Sequence, residues 1–165
     1  CAQYFEPDVV YRPQNNPLLD MLIYRCRATI YKNQIDHDDM RGLIRHLKNG
    51  RAIWYSPDQD FGLKQGVMAP FFGIPAATVT AHRRLLKISK AAAIPLYFYR
   101  YGDEADPRYH ILIEPPVENL PSDDEVDDAT RVNKIIENQL RIAPTQYMWF
   151  HRRFKTRPEG YDKIY

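Results

Sequence analysis

Asp58 and Asp60 are the first side chains whose type and spacing could support chemistry. They sit in Tyr55-Ser56-Pro57-Asp58-Gln59-Asp60-Phe61-Gly62, just past an apolar run at residues 52–55. In open α/β sheets, ligands gather beyond the carboxyl ends of strands, so Asp58, Gln59 and Asp60 stand where a site would. An Asp-rich turn serving its own backbone explains the same residues, and on spacing alone it is the better reading. The pair has the look of a metal-binding Asp-x-Asp. No third carboxylate or histidine is close in sequence, and no metal is expected.

Arg12 is the second candidate. It lies in Tyr11-Arg12-Pro13, past an apolar strand pattern and just before Asn16-Pro17. A helix N-terminus favours anions, and an arginine forks onto phosphate or carboxylate. Alone it reads equally well as a surface arginine. Five histidines (His37, His46, His82, His110, His151) form no metal-binding spacing. None has an acid five residues downstream, where Gly42, Arg51, Lys87, Pro115 and Thr156 stand. Serine elbows, phosphate loops and dinucleotide fingerprints are missing from the sequence, so no cofactor is expected.

The end of the chain interleaves aromatics with cations: Gln146-Tyr147-Met148-Trp149-Phe150-His151-Arg152-Arg153-Phe154-Lys155-Thr156-Arg157. Cations bind anionic oxygens, and Tyr and Trp favour half-wet boundaries. Lipid headgroups and nucleic acid both fit. Some of the aromatics are expected in a core, with Arg152, Arg153, Lys155 and Arg157 left exposed. His82, Arg83, Arg84 and Lys87 make a second basic patch, read as a solvated helix face.

Positioning these residues requires strands alternating with helices. Val9-Val10-Tyr11 reads as a strand end. Asn16 and Pro17 make an N-cap and N1 pair for a helix to about Arg25. Ala28-Thr29-Ile30-Tyr31 reads as a short strand, and residues 36–49 as an amphipathic helix with Gly50 as C′. Residues 52–55 form the next strand. Residues 67–81 are apolar but broken by Pro70, Gly73 and Pro75, so they cannot be one helix. Residues 78–92 read as a basic helix, and 94–100 with 109–114 as a hairpin. Ser122 and Glu125 have capping-box spacing for a helix to about Ile142. The pattern is α/β, with a mixed sheet flanked by helices.

The 165 residues suffice for a single domain, 1–165, with a real core. The net charge is only +2, yet residues 103–128 are mostly acidic and 141–163 mostly basic. This argues for one anionic contact surface, and against nucleic acid, for which the excess is small and no RNP or OB pattern exists. Cys1 and Cys26 are too few for a disulfide framework and read as free thiols. No apolar run is long enough to span a bilayer.

Taken together, several blocks resemble the bacterial lipid A biosynthesis acyltransferases. They are VYRPQNNPLLD (residues 10–20), LKNGRAIWYSPDQDFG with the run from Gly42, APFFGIPAAT (69–78), AAIPLYFYR (92–100) and APTQYMWFHRRFKTRPEG (143–160). The QYMWFHRRFKTRPEG ending looks most like the lauroyl or palmitoleoyl branch, less like the myristoyl branch. The resemblance implies a glycerolipid-acyltransferase-like α/β fold. It implies transfer of a fatty acyl chain from acyl carrier protein to a hydroxyl of a Kdo-lipid A precursor, at the cytoplasmic face of the inner membrane. Such enzymes use a His-x4-acid dyad, the histidine as general base. That dyad is absent here and is expected upstream of Cys1, after an anchoring helix. The chain thus resembles the carboxyl-terminal portion of an acyltransferase domain, incomplete at its N-terminal side and expected to be inactive alone. Residue by residue, Arg12 matches an anion-binding block, and Asp58, Gln59 and Asp60 match an acceptor-side block expected near Arg12. Ile94-Pro95 matches a pocket wall. Arg152, Arg153, Lys155 and Arg157 are expected to meet lipid A phosphates, Kdo carboxylates or the acidic carrier protein.

Overall fold

The computed structural model describes residues 6–165, so Cys1 lies outside the described residues. The contacts form two compact units. One runs to Ser56 and takes in Lys87–Ala91; the other holds Pro57–Leu86 and Ala92–Tyr165.

The first unit contains β1 (Asp8–Tyr11), α1 (Pro17–Ala28), β2 (Gln34–Asp36), α2 (Met40–Lys48) and β3 (Ile53–Trp54). The strands are parallel in the order β2-β1-β3. The order reverses at central β1, which makes the carboxyl end of β1 a topological switch point. Val9, Ile35 and Leu43 are buried in this unit. As expected, Asn16 caps α1: its Oδ1 accepts from the N–H groups of Leu18 and Leu19, and Pro17 takes N1. The helix outruns its expected end. Residues expected as a strand at 28–31 are instead its last turn and exit, closed by the Thr29 hydroxyl donating to the Cys26 carbonyl at 2.7 Å. The strand falls on Gln34–Asp36, where it pairs with β1. The helix expected from Asp36 starts at Met40, because Asp36 completes β2 and Asp39 caps Gly42. Gly50, at φ 74°, takes the C′ role expected of it.

Asp8 opens β1 and is fully buried. Arg51 forks onto it, Nη2 to Oδ1 at 2.7 Å and Nε to Oδ2 at 3.2 Å. Asn33 donates to Oδ1 at 2.8 Å, and His46 Nδ1 lies 2.7 Å from Oδ2. Burial by itself would push this carboxyl up. The Arg51, Asn33 and His46 bonds together outweigh burial and hold it at about 2.

The second unit opens with a hairpin of β4 (Gly66–Phe71) and β5 (Ile74–Val79), in which Pro70 faces Pro75. Its turn is Phe72-Gly73, at φ 49° and 77°, the two positive values of a type I′ turn. This resolves the Pro-broken apolar stretch. The strands approach so closely that a Cβ on Gly66 would strike the Thr78 carbonyl. Next come α3 (Ala81–Ser89), β6 (Leu96–Tyr101), β7 (Arg108–Ile113) and α4 (Glu125–Ile142). The expected helix at 78–92 is shorter because Thr78 and Val79 belong to β5. The cap of α4 is Asp124, not Ser122: the Asp124 Oδ1 accepts from Val126 and Asp127 N–H groups. β6 and β7 form the expected hairpin. Parallel and antiparallel pairing therefore both occur in this α/β chain, in separate sheets among the described residues.

Helix α4 covers the β4–β5 hairpin. Ile136 and Leu140 close over Phe71, Ala76 and Phe154. Asn133 Nδ2 donates to the Pro70 carbonyl at 3.0 Å, and the Phe72 N–H donates to Glu137 Oε1 at 2.7 Å. That bond, with Arg141 5.3 Å above the Phe72 ring, holds a bulky residue in a left-handed conformation it would otherwise avoid.

Candidate functional site

Arg12 follows the last residue of β1 and precedes the capped start of α1, at the switch point of the parallel sheet. Its side chain is exposed, and among the described residues it forms no ion pair. Its carbonyl accepts from Gln14 Nε2 at 3.4 Å. Tyr11 stands beside it with its ring edge-on to Tyr24 at 5.9 Å. Burial, then the charges of Asp20 and Asp36, push the Tyr11 hydroxyl up, so it stays a neutral donor. An exposed guanidinium without an ion pair among the described residues, at a strand's carboxyl end, is suited to an anionic oxygen.

The Asp58-Gln59-Asp60 segment belongs to the second unit. Its two aspartates have different surroundings. Asp58 and Gln59 are half-buried, and the Asp58 carbonyl accepts from the Tyr147 hydroxyl at 3.4 Å. Asp60 is buried. Its Oδ1 accepts from Gly62 N–H at 2.9 Å and Thr156 Oγ1 at 2.8 Å, and its Oδ2 accepts from Thr156 N–H at 2.8 Å. The turn reading thus describes Asp60 in part, and its second duty is to fasten the tail. Asp60→Ala should strand the Thr156 donors, costing about 2 kcal/mol. Limited proteolysis should then cut beyond residue 150 sooner than in the parent; equal cutting rates would contradict this tether.

The basic-aromatic tail divides sharply. Phe154 is buried and Phe150 is 73% exposed. Arg152 and Lys155 are exposed. The expectation of exposed cations fails at Arg153, which is 1% exposed. Its Nη1 donates to the Ala77 carbonyl at 2.6 Å, and its Nη2 donates to Thr78 Oγ1 at 2.9 Å and Asn133 Oδ1 at 3.1 Å. The guanidinium also lies 5.1 Å above the Phe71 ring. Neutral acceptors and a π face replace a carboxylate partner. Burial lowers its pKa, and the neighbouring Tyr147, Asp60 and Asp58 work in the other direction. Arg157 is half-buried, donating through Nη1 to the Pro75 carbonyl at 2.9 Å and stacking over Tyr161. Asn133 and Thr78, which complete the Arg153 site, carried no signal in the sequence.

Four of the histidines have structural neighbours of their own. His46 serves Asp8 at the amino end of β1, the edge opposite the switch point. His110 meets the Tyr99 hydroxyl at 2.9 Å. His82 is buried, and burial lowers its pKa. It therefore leaves the basic face expected of it, while Arg83 pairs with Asp128 at 2.7 Å. Ligand-type atoms of Asp36, His37 and Asp38 lie within 4.8 Å of one another. Bonds within that turn, His37 Nδ1 to Asp38 Oδ1 at 3.0 Å and Asp38 N–H to Asp36 Oδ1 at 2.9 Å, account for the cluster.

The family model for bacterial lipid A biosynthesis acyltransferases matches residues 2–156. The chain belongs to that family. The lipid A biosynthesis lauroyltransferase of Escherichia coli K12 is 41% identical over 162 residues, 97% of this chain and 52% of the relative. The palmitoleoyltransferase of that strain is 40% identical over 94% of this chain and 50% of its own length. The myristoyltransferase is 29% identical over 92% of this chain and 46% of its own length. The order agrees with the branch suggested by the QYMWFHRRFKTRPEG ending. The chain spans about half the length of these relatives. Among the described residues, no helix is long and apolar enough to cross a membrane.

Proposed function

We propose that this chain is the carboxyl-terminal part of an acyltransferase domain. In this reading the enzyme moves a fatty acyl chain, lauroyl first, from acyl carrier protein to a hydroxyl of a Kdo-lipid A precursor. The observation that carries the reading is 41% identity to a lauroyltransferase across 97% of the chain. The acceptor hydroxyl loses its proton to a general base, attacks the thioester carbonyl, and the carrier thiol leaves. None of the five histidines has the spacing of the family dyad, so the base is proposed to lie outside these 165 residues. The reaction is proposed to run at the cytoplasmic face of the inner membrane.

Arg12 is proposed to hold an anionic group of a substrate at the switch point of the first unit; Asp58 and Gln59, in the second unit, are proposed separately as substrate-binding residues. Arg152 and Lys155 are the tail cations with heads free to meet phosphate or the carrier protein. Asp60 and Arg153 act through packing, and Arg157 does so in part. Thioester turnover by the full-length enzyme tests this. Arg12→Ala should lower kcat/KM about 10- to 100-fold, the loss of one charge-assisted bond, with an unchanged melting temperature. Unchanged turnover would remove Arg12 from the site, and turnover by the 165-residue chain alone would overturn the proposed division of labour.

A further inference from the structure

The tail grips the turn at residues 58–60 from both ends, within the second unit. At one end the Tyr147 hydroxyl donates to the Asp58 carbonyl at 3.4 Å. At the other, Thr156 gives its N–H and its hydroxyl to the two carboxylate oxygens of Asp60, both at 2.8 Å. Both Asp60 oxygens are engaged in that attachment. Asp58 and Gln59, half-buried, are the side chains of the turn left to meet a substrate. The gripping residues are themselves fixed. Gln146, next to Tyr147, pairs with the Arg100 backbone on β6 through both ends of its amide. It accepts from the N–H at 2.8 Å and donates to the carbonyl at 2.7 Å. The Tyr147 ring stands edge-on to Trp149 at 4.9 Å, and Trp149 Nε1 donates to the Pro144 carbonyl at 2.9 Å. Between the two grips, Arg153 is bonded to β5 and α4.

The Asp58 carbonyl belongs to the peptide unit that joins Asp58 to Gln59. That unit is planar and carries the Asp58 Cα at one corner. Holding its oxygen therefore restricts the backbone from which the Asp58 carboxylate projects. Burial, and then the charge of Asp58, push the Tyr147 hydroxyl up, while Arg153 works in the other direction. The phenol keeps its proton and remains a donor through neutral pH. A carboxylate that must meet a substrate gains from being aimed in advance, because a small misplacement weakens every contact it makes. We propose that Tyr147 is a positioning residue: its hydroxyl aims the Asp58 carboxylate at the substrate, and the anchored tail holds that aim. The proposal rests on the reading of Asp58 as a substrate-binding residue, and the two can fail separately.

Thioester turnover by the full-length enzyme carrying Tyr147→Phe, Asp58→Asn or both tests it. Tyr147→Phe keeps the ring against Trp149 and removes only the hydroxyl. It should lower kcat/KM about 10-fold and leave the melting temperature at the parent value. Asp58→Asn should lower kcat/KM by at least about 10-fold. The double variant should fall within about 2-fold of Asp58→Asn alone, because the hydroxyl then has no carboxylate to aim. A contact that serves stability alone would not produce this coupling. Parental turnover by Tyr147→Phe would overturn the proposal. So would a melting temperature that falls in step with its turnover. Losses that multiply in the double variant, with Asp58→Asn itself impaired, reject only the positioning role and keep Asp58 in the site. Parental turnover by Asp58→Asn would instead remove Asp58 from the substrate site, and the role given to Tyr147 with it.

Discussion

Replacing Arg153 with methionine should lower the stability of the chain by about 3 kcal/mol, while the same change at its neighbour Arg152 should be nearly silent. Methionine fills a similar volume but leaves the Ala77 carbonyl and Asn133 Oδ1 without the guanidinium that now reaches them, while Thr78 Oγ1 keeps the Asn133 Nδ2 donor at 2.9 Å. Such acceptors, buried and unpaired, each cost about 1–3 kcal/mol. The buried guanidinium carries its own desolvation cost, which is why the net figure stays near the lower end of the sum. For a chain of this length the melting temperature should fall by about 6–12 °C. Arg152 is exposed, and surface changes stay within about 0.5 kcal/mol. Paired thermal melts of the two variants make the comparison internal. Equal melting temperatures would show that the tail is not held through Arg153.

The second large effect belongs to Asp8. Asp8→Ala should cost about 3–5 kcal/mol, because it leaves the Arg51 guanidinium without its buried counter-charge and His46 Nδ1 without its partner. The same carboxylate makes stability depend on acid. Its folded value of about 2 lies below its ordinary 3.8, so the folded state binds this proton less readily than the unfolded chain does. Its contribution is complete above about pH 4 and is lost as pH falls toward about 2, on the order of 2 kcal/mol in all. Urea unfolding midpoints measured from neutral pH down to this window should drop more steeply for the parent than for Asp8→Asn. Parallel pH profiles would contradict the hub.

Both effects rest on contacts that the sequence hides. Asp8 meets His46 and Arg51 across separations of 38 and 43 residues, and Arg153 reaches Ala77 across 76. No local spacing encodes such meetings. Signals written in neighbouring residues were legible: Asn16-Pro17 as the start of a helix, Gly50 as its end-marker on α2, and the β6–β7 hairpin around its Gly-to-Pro turn. The β4–β5 hairpin escaped because its turn is Phe72-Gly73, where asparagine or aspartate would ordinarily announce a type I′ geometry. Phenylalanine is accepted there because Glu137 and Arg141, on a helix far along the chain, hold it. The position of Arg12 just past a strand was legible. The different fates of Arg152 and Arg153 were not, since adjacent arginines look alike until the backbone turns between them, at φ 50° for Arg152.

The tail's attachment also sets an order of events during synthesis. Asp60 emerges 96 residues ahead of Thr156, a delay on the order of 5–20 s at about 5–20 residues per second. Through that interval the Asp60 carboxylate, the Ala77 carbonyl and the face of Phe71 have no partner from the tail. A polypeptide broken off before Arg153 keeps that surface open permanently. Residues 153–156 therefore complete the burial of features that appear in the chain up to 96 residues earlier.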